Sequence, residues 1–80
     1  MMEDDLSQTT INIIEHLGSM YDDFTCDKTS YIAFIEQSHV YLRQVQQDVP
    51  EHEIYLIQDA HYNLLAEAFF AHHFRKSQNS

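Results

Sequence analysis

Eighty residues with one glycine and one proline make one small domain, too poor in turn-forming residues for a sheet. The single cysteine excludes an internal disulfide, and no run approaches the ~20 continuous apolar residues a membrane span needs. A net charge of −9 with only four Lys and Arg excludes a basic stripe able to displace counterions from nucleic-acid phosphates.

The apolar spacing is helical throughout and predicts one all-α domain over residues 1–80, with helices at about 6–24, 28–48 and 50–76. In the first helix, Leu6, Thr10, Ile13, Ile14, Leu17, Met20, Tyr21 and Phe24 share one face. Asp4 or Asp5 is the expected N-cap. Gly18 interrupts this helix at a cost, which suggests that another backbone passes close to it.

Thr25-Cys26-Asp27 reads as a short connection, with Asp27 expected to cap the second helix. The second buried stripe is expected at Tyr31, Ile32, Phe34, Ile35, His39, Leu42, Val45 and Val49. Val49-Pro50 ends it, because proline pushes the preceding residue out of the α region. Pro50 is then expected as the first residue of the third helix, where its missing N–H costs nothing. Glu51 and Glu53 near the start of that helix, and Arg75 and Lys76 near its end, suit the helix dipole. Residues 77–80 are expected to be a disordered tail.

Two short connections imply a three-helix up-down-up bundle. The rival arrangement is an extended helical hairpin, with a long C-terminal helix, that pairs with a second chain.

The third helix departs from ordinary amphipathicity. Ile54, Ile57, Ala60, His61, Leu64, Leu65, Ala68 and Ala71 supply one core stripe. Tyr55, Tyr62 and Phe69 recur every seven residues outside it, and Phe70 and Phe74 lie further round. An apolar arc this wide expects neighbours on most sides. Tyr55, Tyr62, Phe69, Phe70 and Phe74 are therefore candidate partner-binding residues, since aromatics favour interface centres. Self-association would satisfy them as well as a foreign protein would. A plainer account makes the helix central and leaves the tyrosines half exposed with wet hydroxyls.

The charge is unevenly placed. Residues 1–27 hold seven of the thirteen carboxylates and no Lys or Arg. That acidic third keeps the protein soluble, or steers it toward a basic partner through residues such as Asp22 and Asp23, or imitates nucleic acid. An anionic membrane would repel it, and the acidic start Met1-Met2-Glu3-Asp4-Asp5 has the wrong sign for a secretory signal. A cytoplasmic protein is expected.

No catalytic residue and no metal ligand is assigned. The six histidines form no His-x-x-x-His pair, and His61 and His72 lie roughly 16 Å apart along one helix. A site across helices, such as His39 with His61, stays open. Cys26 reads as an ordinary loop thiol, and there is no glycine-rich phosphate loop. No cofactor and no small-molecule substrate is indicated, so an enzyme is not expected. Protonated near pH 6, His61, His72 or His73 on a contact face would weaken association.

The composition and patterning together suggest a small acidic helical protein-binding module of cochaperone, inhibitor or immunity, or adaptor type. Its partner is a protein, basic in character, or a second copy in a homodimer. The alternatives are an obligate homo-oligomer with a structural or regulatory role, a nucleic-acid mimic, and a histidine-based metal-binding protein.

Overall fold

Serine caps, rather than aspartates, begin the first two helices. In the computed structural model, which describes the backbone of residues 7–79 and the side chains of residues 7–75, α1 spans Gln8–Thr25. Ser7 is its N-cap, with extended backbone and a hydroxyl that accepts from the Thr10 N–H at 3.3 Å. Asp4, Asp5 and Leu6, expected in and before this helix, lie outside the described residues.

Asp27 closes α1 instead of opening α2. Its φ is 67°, its N–H donates to the Phe24 carbonyl, and the Lys28 N–H donates to the Asp23 carbonyl at 2.8 Å. That pair of bonds is a Schellman motif, with Asp27 at the left-handed position that usually takes glycine or asparagine. With Asp27 committed there, α2 (Tyr31–Val45) starts three residues later than expected, capped by Ser30 through the Ala33 N–H at 3.1 Å. Serine caps a helix as well as aspartate does.

α2 gives way to a 3₁₀ turn, Gln46–Asp48, and Val49 is extended ahead of Pro50, as the proline demands. Pro50 does not begin the third helix. Its ψ of 139° is extended, a second 3₁₀ turn covers Glu51–Glu53, and α3 runs Ile54–Asn79. The helix therefore continues through the backbone of the expected tail as far as Asn79, and Ser80 lies outside the described residues.

The result is a three-helix up-down-up bundle with extents of 50 × 25 × 17 Å. Its core has two parts. Ile13, Leu17, Leu42, Val49 and Ile57 form an aliphatic half, and Phe24, Phe34 and Ala68 form an aromatic half that Tyr21 and Tyr31 extend. Met20 and Leu64 touch both.

The buried stripe of α2 is narrower than expected. Phe34, Ser38 and Leu42, spaced four apart, are its buried residues, whereas Ile32 is 67% exposed and His39 is exposed. The small side chain of Ser38 leaves room for the buried His61 of α3, whose Nε2 lies 2.9 Å from the Ser38 hydroxyl. Gly18 also differs from expectation. A Cβ added to it would meet nothing within 4 Å, so no neighbouring backbone requires glycine at that position.

Candidate functional site

α3 presents its small and aliphatic residues inward and its aromatics outward. Ile57, His61 and Ala68 are buried, with Ile54, Leu64, Leu65 and Ala71 half-buried around them. Tyr55, Tyr62, Phe69, Phe70 and Phe74 are 46–71% exposed. Rotating by 100° per residue puts Tyr55, Tyr62 and Phe69 opposite the Ile57–Ala68 side, with Phe70 and Phe74 flanking them. The tyrosines thus point to solvent with their rings and not merely with their hydroxyls. Phe69 packs edge-on against His73 at 4.3 Å and lies 6.0 Å from Phe70, so the C-terminal half of this face is a contiguous aromatic patch.

Polar ties at the two ends hold that face in position. At one end the Glu53 carboxylate is buried and receives three donors from the start of α1: the Thr10 hydroxyl at 2.5 Å, the Ser7 hydroxyl at 2.9 Å and the Ser7 N–H at 3.3 Å. The Thr10 bond, then those of Ser7, hold the Glu53 carboxyl below its ordinary range. Glu53 thereby serves the N-terminus of α1, where a negative charge is favoured, and not only that of its own helix.

At the other end Arg75 bridges α3 to the close of α1. Its guanidinium donates to the Asp27 carboxylate at 2.7 Å and to the Thr25 carbonyl at 2.8 Å, and it lies over the Phe24 ring at 5.4 Å. Asp22 and Asp23 are exposed on this same last turn of α1. The fold therefore groups them with Phe69, Phe70 and Phe74 at one end of the bundle and leaves Tyr55 at the other, next to Glu53. Glu53, Ser38 and Arg75 were not singled out as tying residues by periodicity, because each works through a partner forty or more residues away or on another helix.

The histidines divide among separate environments. His72 stacks on Tyr31 at 4.4 Å, with ring planes 7° apart, and His16 packs on Tyr41 at 4.3 Å. His39 and His61 do approach, ring to ring at 4.8 Å, but His39 Nδ1 lies 2.8 Å from the Ile35 carbonyl and His61 Nε2 faces Ser38. Burial, reinforced by His39, lowers the His61 pKa from its ordinary 6.5. Only His73 belongs to the outer face of α3, so His61 and His72 do not line it as considered from sequence.

Ser38 beside His61 has the residue types of a nucleophile and base, yet Ser38 is wholly buried and its hydroxyl also bonds the Ile35 carbonyl at 3.1 Å. A nucleophile needs access to its substrate, and this one has none. Among the described residues there is no pocket, no group of three metal-ligating side chains, and no helix long and apolar enough to cross a membrane. Cys26 is exposed at the α1 C-cap. No family model, no curated protein and no solved structure matches this chain.

Proposed function

We propose that this protein is a non-enzymatic protein-binding module that docks another polypeptide through the outer face of α3. One observation supports the reading above the others: five aromatic rings on one helix, 46–71% exposed, on the side away from the core. Monomeric proteins rarely leave so many large apolar side chains uncovered along one helix, and buried aromatic anchors supply most of the energy at interface centres. The carboxylates of Asp22 and Asp23 at the same end add steering toward a basic partner, acting on the rate of encounter more than on its strength. A cochaperone, an inhibitor or immunity protein, and an adaptor each work by such helix-face docking.

Capture from the native host tests this directly, comparing the wild type with a Tyr62→Ala/Phe69→Ala double variant. The variant is expected to keep its helical circular dichroism and to lose the captured polypeptides, since truncating two anchors costs on the order of 4 kcal/mol of binding. Equal retention of the same partners by both proteins would falsify the aromatic-face reading.

A further inference from the structure

We infer that the polypeptide seated on the outer face of α3 is a second copy of this chain, packed antiparallel about a two-fold axis at Ala66; this rests on the docking role proposed above. The inference starts from spacing. Tyr55, Asp59, Tyr62, Ala66, Phe69 and His73 follow one another at intervals of four, three, four, three and four, and all six are exposed. Alternating steps of three and four make a straight seam along a helix and pack against a like seam at a small crossing angle. The outer face is thus patterned like a helix–helix contact, beyond being merely apolar.

The seam is also complementary to itself. Ala66 is its one small residue, where two helix backbones approach most closely. Asp59 and His73 lie seven residues to either side of Ala66, each about 10 Å along the axis. A two-fold through Ala66 therefore brings Asp59 of each copy level with His73 of the other, twice in the pair. The same operation sets Tyr62 against Phe69 and Phe70 across the interface. Self-complementarity of this kind is what a two-fold contact requires.

Charge and area agree. The chain carries −9, but seven of its carboxylates lie before Lys28. Asp59 is the one carboxylate on the seam, so two copies meet there with little repulsion. Exposed to the extent observed, five aromatic rings of about 150–250 Å² each offer about 600 Å² per copy. Were all of that covered, a symmetric pair would bury about 1,200 Å², the lower end of stable interfaces. A foreign partner of this face would then compete with self-association.

Sedimentation of the full chain at about 100 μM is expected to give twice the chain mass, in keeping with an interface of that size. Tyr62→Ala/Phe69→Ala is expected to give the single-chain mass with helicity kept. The axis is tested by disulfide trapping in a Cys26→Ser background. Cα atoms at the axis of two closely packed helices fall within disulfide reach, so Ala66→Cys should cross-link under mild oxidation. Gln37→Cys, exposed on α2, should stay monomeric. Asp59→Lys should weaken the dimer roughly tenfold, and adding His73→Glu should restore it.

A single-chain mass for the wild type overturns the inference, and so does cross-linking at position 66 no faster than at position 37. Neither result touches the docking role: a monomer whose host partners are lost in the double variant keeps that role and loses only the second copy as its occupant.

Discussion

The two sides of α3 invert the usual distribution of volume on a helix. The side against α1 and α2 buries Ile57, His61 and Ala68, while the side facing water carries three phenylalanines and two tyrosines. A small core explains the first choice. With eighty residues and two other helices to accommodate, α3 must sit close, and alanine and an aliphatic residue allow this where aromatics would force the helices apart. Packing explains nothing on the second side, because those rings stabilise little until something covers them. Stability and binding are thus assigned to opposite faces of one element, and single substitutions can tell them apart.

The largest expected contrast is between Ile57 and Phe70. Ile57 is wholly buried, and Ile57→Ala should cost about 3 kcal/mol through lost transfer energy and the cavity left behind. Phe70 is 70% exposed, and Phe70→Ala should change stability by less than about 0.5 kcal/mol despite removing the larger side chain. Urea unfolding of dilute protein measures both. If Phe70→Ala cost as much as Ile57→Ala, the outer rings would belong to the fold and the division between faces would fail.

The sequence showed this division only partly, for a physical reason. Seven-residue recurrence of Tyr55, Tyr62 and Phe69 was enough to place them off the core stripe, because helical geometry fixes direction. The bundle itself followed from two short connections and three apolar stripes. What periodicity could not reach was any choice made between elements. Ser38 in the core of α2 depends on His61 arriving from α3, a pairing that periodicity within α2 does not reveal. Glu53 looked like a dipole residue of its own helix until Ser7 and Thr10 converged on it. Asp27 and Ser30 were equally good caps by type, and only the closing turn of α1 decided between them.

Two histidines on α3 sharpen the comparison through pH. His61 lies on the inner side and His73 on the outer. Burial lowers the His61 pKa in the folded protein below its ordinary 6.5, so the unfolded chain takes up that proton first as the solution is acidified. The unfolded state then binds more protons, and stability falls as pH drops below about 6.5 toward the folded value. Glu53 behaves alike in a lower window. Its pKa is held below 4.5, so its contribution is complete above that value and is lost as pH falls through the folded one. Melting temperatures should be level above pH 7, decline below pH 6.5 and decline further below pH 4.5. His61→Gln should flatten the first decline, and His73→Gln should leave it in place. A decline that survives His61→Gln unchanged would mean the inner histidine is not its source.

The smallest effect tests whether inner and outer can be told apart on α1 as well. Gly18 follows the buried Leu17 and is itself half-buried, which from sequence alone suggested a close backbone approach. A Cβ there meets nothing within 4 Å, and the glycine φ is not in the left-handed region. Neither of the two reasons for glycine inside a helix applies, so it retains only its entropic cost. Gly18→Ala should therefore stabilise the protein by roughly 0.5–1 kcal/mol, raising the melting temperature by about 4 °C. Thermal unfolding followed by circular dichroism is sensitive enough to show that rise. A fall instead would place another backbone against Gly18 and bring that edge of α1 inside the contact surface, which the arrangement proposed for α3 does not allow.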